Sequence, residues 1–417
     1  MDRNTQLMTM IRSVVVPATG CTEPVAIALN ASKARAELKG ALKSARVKLD
    51  ICLLKNAMGV AIPGFEGARG AAECVAVGIA AGDFEAGMNV LGNITPEGAD
   101  EARKILPLID VKLDGTRTGL YIETILESDE DCVRVITSGG HDNIVSVEHG
   151  TDFAHFETAG GSAIDGIENF TLEDFKAFAD TVDQEALDFF REGLEMNMAI
   201  SEAGQKLAMG QAYDRLNARS LFGDSLLLQV QKVTSCASYA RMSGYPLPVM
   251  TVTGSGNQGI SLFLPIGVVG KALNVPEEKI LRGIAFAQAM NMFIKHDVGT
   301  LSCLCSCSIS AGLAGACGIM YMLDGTLEQV VACMKTVLGS ATGVICDGAK
   351  EGCANKVGLS TANTTLSAFM ALEGFSIEAG GIVGTDEPGQ LTKNLGRVAN
   401  VGMKDANATI VDIMMGR

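Results

Sequence analysis

Tryptophan is absent from this 417-residue chain, and histidine occurs only at His141, His149, His155 and His296. The mixed Cys/His spacing of a zinc finger is missing, and so are paired CxxC knuckles. Positive charge is scarce as well: 33 Lys and Arg against 48 Asp and Glu leave a formal net charge of -15. No basic stripe is available to neutralise phosphates, which argues against a nucleic-acid partner. The opening "MDRNTQLMTMIRSVVVPATG" has no uninterrupted apolar run and carries Asp2 and Arg12, so no secretory signal is expected and a cytoplasmic location is. Val298 to Leu323 is free of charge for 26 residues, long enough to span a bilayer. Its cysteines, serines and glycines instead favour a buried core helix, and no membrane association is expected.

What is plentiful is apolar and small: 47% hydrophobic residues, 48 Gly and 19 Met. That composition belongs to a well-packed globular protein, and the length suggests two domains. "PVAIALNASKARAEL" has helical spacing, and "TPEGADEARKIL" opens with Thr95 as N-cap and Pro96 in the first turn. "ARVKLDICLLK" and "VKLDGTRTGLYIETIL" alternate like strands, and "DCVRVITSGGHDNIVSVEHG" reads as a hairpin. From "LEDFKAFADTV" onward no strong strand is visible. Helical patterns run through "QEALDFFREGLEMNMAISEAGQKLAM", "SLLLQVQKVTSCASYARM", "EEKILRGIAFAQAMNMFIKH", "LEQVVACMKTVLGSA" and "NTTLSAFMALEG". The expected fold class is α+β: a small N-terminal α/β domain (1–167), then a larger, nearly all-α domain (168–417) carrying the grouped cysteines.

Twelve cysteines in a chain expected to meet a reducing compartment ligate metal, react or simply pack. Cys52, Cys74, Cys132, Cys236, Cys317 and Cys333 lack partner spacing and are read as core. "SCLCSC" (302–307) and "ICDGAKEGC" (345–353) are different. Alternate cysteines on a regular helix point about 200° apart, so 303, 305 and 307 cannot all reach one metal. One of them with Cys346 and Cys353 makes a three-thiolate set. That set suits an iron–sulfur cluster with one iron open, while a packed core and a zinc site stay as alternatives. "ATGCTEPVAIAL" places Cys21 and Thr22 at a helix N-terminus, where the dipole is expected to lower a thiol pKa and hold a carboxylate. "TGSGNQGIS" is a polar turn of small residues, neither a GxGxxG nor a Walker loop.

"GCTEP", "ARMSGYPLPVMTVTGSGNQGI", "GTLSCLCSC", "GVICDGAKEGCANKV" and "NLGRVANVGM…IVDIM", in that order over essentially the whole chain, resemble the L-cysteine desulfidase family. That family is related to the iron–sulfur L-serine dehydratases. The resemblance implies a 4Fe-4S lyase that splits L-cysteine into pyruvate, ammonia and hydrogen sulfide without pyridoxal phosphate. It implies Cys305, Cys346 and Cys353 as cluster ligands, with Cys303 and Cys307 as rivals for the first place, and Cys21 as catalytic base. Thr22, Glu23, Ser255, Gly256, Asn257 and Gln258 would hold the substrate, joined by Asn93, His141 and Asn143 from the α/β part. Tyr239, Ser306 and Asn355 depart from the family pattern. Elimination of water from L-serine is the nearest rival reaction, and a non-catalytic zinc- or thiol-stabilised scaffold is the rival from another class. Self-association into a homodimer is left open.

Overall fold

The computed structural model describes residues 2–117, 119–157, 162–220, 223, 225–378 and 380–416. Helices α1 Arg3–Val14, α2 Thr22–Glu37, α3 Ile51–Ala57, α4 Ala71–Ala81 and α5 Pro96–Ile105 belong to the first part of the chain. The second part holds α6 Leu172–Thr181, α7 Gln184–Gln205, α8 Ala208–Ala218, α9 Leu226–Met242, α10 Gly256–Ala272, α11 Glu277–Val298, α12 Ser310–Met322, α13 Leu327–Ala341, α14 Cys353–Leu372, α15 Pro388–Arg397 and α16 Ala406–Met414. The strands are β1 Pro17–Thr19, β2 Ser44–Leu49, β3 Ile109–Leu113, β4 Tyr121–Glu127, β5 Cys132–Ser138, β6 Ile144–His149 and β7 Pro248–Met250. The class is α+β, as expected.

A five-stranded sheet runs in the order β3-β2-β4-β5-β6, with β2–β3 parallel and the other pairs antiparallel. Val47, Leu49 and Ile122 on one face pack against Val25, Ala28 and Leu29 of α2, and α4 covers α2 in turn. Buried on nearly all sides, α2 is a core helix rather than a surface one. The β5–β6 hairpin forms about the turn 139–143, and Thr95 caps α5 as its sequence indicates. A larger apolar cluster runs through α7, α10, α11, α12 and α13, and it takes in Leu7 and Ile11 of α1.

Several expectations are corrected. The strand-like run "ARVKLDICLLK" breaks at Asp50, whose carboxylate accepts from the amides of Cys52 and Leu53 and starts α3. "VKLDGTRTGLYIETIL" is two strands joined by a turn. The pattern 184–209 divides between α7 and α8. Of 298–323, Val298 ends α11 and only Ser310–Met322 is helical beyond it, because Gly299 takes φ +88 and Leu304 pairs in a β-bridge with Ile345. Among the described residues no helix is long and apolar enough to cross a membrane. The later half does contain a strand: β7 pairs antiparallel with β1, in register Pro17↔Met250 to Thr19↔Pro248.

That short ladder brings "GCTEP" to the "TGSGNQG" turn. Thr251 extends it by donating its amide (2.9 Å) and hydroxyl (2.7 Å) to the Val16 carbonyl. Asn197 of α7 clamps the far side, accepting from the Met250 amide at 3.0 Å and donating to its carbonyl at 3.2 Å. Gly259 lets α10 close on this strand, since a Cβ there would lie 1.9 Å from the Met250 carbonyl oxygen. A backbone atom pinned by Asn197 cannot yield. Gly259→Ala is therefore expected to destabilise the protein by about 1–3 kcal/mol or more. A thermal melt checks it: an unchanged midpoint would show that α10 is free to shift.

Candidate functional site

Cys21 is the N-cap of α2, and its nearly buried thiol donates to Glu23 Oε2 at 3.2 Å. Thr22 Oγ1 donates to the same oxygen at 3.1 Å, and Asn56 Nδ2 of α3 donates to Oε1 at 2.8 Å. Burial pushes the Glu23 carboxyl up, yet His141, the Cys21 thiol and Arg241 together hold it below its ordinary range. The Cys21 thiol goes the other way from the sequence expectation. Burial and the Glu23 carboxylate push it well above its ordinary value. A helix dipole contributes about half a charge, and here it is outweighed by desolvation and by a full negative charge in contact.

The grouped thiols are set by backbone pairing. The Cys346 amide donates to the Cys303 carbonyl at 2.7 Å and the Cys305 amide to the Val344 carbonyl at 2.9 Å, on either side of the Leu304–Ile345 bridge. Cys303 turns away, its thiol donating to the Ala399 carbonyl at 3.1 Å. Cys305, Cys307, Cys346 and Cys353 line one cavity of about 80 Å³ together with Cys21, Glu23, Asn56 and Arg241. The Cys305 thiol is shifted down because Cys307 and Ser308 donate to it, and Cys307 is shifted up in return. Cys346 reaches Asn56 Oδ1 at 3.8 Å, so Asn56 links Glu23 to a cluster-candidate thiol. Lys55 donates to the Cys346 carbonyl and to Asn407 Oδ1 of α16, both at 2.7 Å.

Ser255, Asn257 and Gln258 line this cavity. Ser255 Oγ lies 3.7 Å from Cys307 Sγ. Asn257 accepts from Ser238 at 3.2 Å, and Gln258 accepts from Thr253 at 3.0 Å. A cleft of about 610 Å³ adjoins through Gly254 and Thr300, and Thr22, His141 and Asn143 line it. Gly254, at φ +78, lets His141 pack on the turn, for a Cβ would meet Nδ1 at 2.6 Å. His141 is buried, shifted down by desolvation, and its Nε2 has no partner. Asn93 lies exposed before α5 and lines neither space. Of the departures from the family pattern, Ser306 lines the cavity, accepting from Lys295 at 3.1 Å, whereas Tyr239 and Asn355 do not.

All twelve cysteines are free thiols. Among the described residues no three His, Cys, Asp or Glu groups converge as a single ion would require. The four cysteines that line the cavity are soft donors of the kind an iron–sulfur cluster takes. Five of the six cysteines read as core are buried, while Cys52 is half-buried and accepts from Asn407 at 3.3 Å.

A sequence profile described as serine dehydratase alpha chain matches residues 85–412. The chain belongs to this serine dehydratase family. It is similar over its full length to a UPF0597 protein of Clostridium tetani, 35% identical over 427 residues and covering 100% of both chains. A UPF0597 protein of Caldanaerobacter subterraneus subsp. tengcongensis is 35% identical over 419 residues, 98% of each chain. One from Bacteroides fragilis is 33% identical over 419 residues, 98% of this chain and 97% of the relative. Those names state no activity.

Four residues of this family member's site escaped the sequence reading: Lys55, Asn56, Arg241 and Lys295. Lys55 lay inside the run read as a strand, and Asn56 directly follows it. The other two carried a signal, a lone cation in an otherwise apolar or small-residue helical run ("CASYARM", "NMFIKH"). Lys295 is buried, donates to the Thr300 carbonyl at 3.0 Å, and is pushed down to about 8 by burial.

Removing Asn56 tests the carboxylate network. Asn56→Ala leaves Glu23 Oε1 without its donor, at an expected loss of about 1–3 kcal/mol. Because the folded Glu23 is held below 4.5, its ionised form contributes stability above that pH, and the contribution is lost as pH falls through the lowered value. Losing a donor raises that value, so the acid limb of the stability curve should move to higher pH in the variant. Thermal midpoints between about pH 3 and 7 measure it, and coincident acid limbs would refute the network.

Proposed function

We propose that the protein is an iron–sulfur lyase that converts L-cysteine and water into pyruvate, ammonia and hydrogen sulfide. The observation that carries the reading is a Cys21 thiol, paired with a buried carboxylate, facing the same cavity as Cys305, Cys346 and Cys353. Membership of an iron–sulfur-dependent dehydratase family supports a 4Fe-4S cofactor and lyase chemistry. Cys305, Cys346 and Cys353 would hold the cluster. When bound, it supplies a Lewis-acidic iron to the leaving sulfur.

The chain's own residues supply the proton chemistry. Cys21 passes its proton to Glu23 across their 3.2 Å hydrogen bond and, as thiolate, takes the Cα proton of the substrate. Burial makes that thiolate a stronger base than an exposed one. Thr22 and Asn56 keep the Glu23 oxygens oriented, so the carboxylate is ready without rearrangement. Loss of the β-sulfur leaves an aminoacrylate, whose imine tautomer is hydrolysed to pyruvate and ammonia. Ser255, Asn257 and Gln258 border the cavity on the α10 side and form its polar wall. Twelve free thiols suit a reducing, cytoplasmic setting, with L-cysteine as the small-molecule partner. The division at residue 167 into a cover and a cluster-bearing body belongs to the same proposal.

A second reading, dehydration of L-serine, is favoured by the description of the family profile. Anaerobic purification, reconstitution with iron and sulfide, and assay of pyruvate and sulfide decide between them. Equal pyruvate and sulfide from L-cysteine, lost in air, is the expected result; turnover of L-serine alone would move the protein to the dehydratases.

Two variants separate the roles of the thiols. Cys346→Ala should abolish both the brown colour and turnover, whereas Cys21→Ala should keep the colour and lose turnover about 100-fold or more. A colourless Cys21→Ala protein would contradict its role as base.

A further inference from the structure

We propose that Arg241 is the anchor for the substrate's α-carboxylate, and that it restricts this site to amino acids with a free carboxyl group. The inference rests on the lyase reading above and adds a residue that recognises the substrate class.

Arg241 stands one residue from the C-terminus of α9, is 2% exposed, and lines the cavity shared by Cys21 and the grouped thiols. Its Nε and Nη2 are buried and have no hydrogen-bond partner. A guanidinium is always protonated, and burying its charge without a partner costs several kcal/mol. Among the described residues no carboxylate pairs with its Nε or Nη2, although Glu23 and Cys21 lie within its electrostatic reach. The fold makes room for this buried charge. Gly256 sits against it, and a Cβ there would lie 2.4 Å from Nε.

A planar fork of N–H donors matches one kind of ligand well: a group with two coplanar oxygens and a negative charge. The N-terminus of α10, beginning at Gly256, adds free amides and positive potential on the same side. A carboxylate seated there has the neighbouring Cα in the cavity that Cys21 faces. The site thus carries a fixed cation for the part of the substrate that does not react, separate from the thiols.

Calorimetry on the full-length, cluster-loaded protein uses L-alanine, which has the carboxylate but no leaving group, beside L-alaninamide. Wild type is expected to bind L-alanine about 10–100-fold more tightly than the amide, the contribution of a charged hydrogen-bonded pair. Arg241→Met should erase that preference, and Arg241→Lys should restore part of it. In turnover, the KM for L-cysteine should rise by a similar factor in Arg241→Met, while L-cysteine methyl ester is scarcely affected. Equal binding of alanine and its amide by wild type, or an undiminished preference in a folded Arg241→Met variant of wild-type iron content, overturns the anchor. The binding arm needs no turnover. A protein that prefers alanine through Arg241 yet acts on neither cysteine nor serine would keep the anchor and refute the lyase.

Discussion

The buried carboxylate of Glu23 is the constraint around which the site is arranged. Taking a carboxylate out of water costs several kcal/mol unless its lone pairs are met. Three donors meet them: Cys21 and Thr22 from the start of its own helix, and Asn56 from α3. His141 and Arg241 add positive potential, and the balance keeps the group ionised despite burial. Each of those residues is fixed in part by serving Glu23. Asn56 also turns its oxygen to Cys346, and Lys55, next to it, holds the Cys346 carbonyl. The carboxylate thus orients the proposed base on one side and steadies a proposed cluster ligand on the other.

Two pieces of β-structure too small to form a sheet core bring these groups together. The β1–β7 ladder joins the start of α2 to the start of α10, and the Leu304–Ile345 bridge joins the two cysteine segments. Ala18, Val249, Met250 and Leu304 bury their side chains in the surrounding clusters. Both pieces persist because rigid helices packed behind them fix both partners, as Asn197 of α7 does for Met250. The helical body contributes stiffness, and the ladders convert it into alignment.

Long helices with end signals were legible in the sequence. The run "LEQVVACMKTVLGSA" coincides with α13, which Thr326 and Gln329 begin with a capping box. The hairpin around His141, the helix after Cys21 and most cavity residues followed from pattern or resemblance. What escaped reading has a common physical origin. A three-residue strand such as β1 or β7 has no periodicity to detect, and α3 is seven residues of apolar sequence that an aspartate cap turns from strand to helix. The dipole argument at Cys21 gave the wrong direction of shift, because burial and a neighbouring anion are tertiary facts. Asn93 looked like its polar neighbours in sequence, yet the chain carries it to the surface. Among the three crowded cysteines, only the bridge geometry shows that Cys303 faces the core while Cys305 and Cys307 face the cavity.

The wide spacing of the cavity thiols also orders events in time. A chain emerging from the ribosome presents Cys21 first and the "SCLCSC" segment much later, with Cys346 and Cys353 later still. A compact knuckle can seize a metal ion before its domain exists, and metal then drives folding. Here the full set of donors meets only after closure of long loops, since the Leu304–Ile345 bridge joins the two cysteine segments. A group held by all of these donors therefore needs the helical body assembled around it.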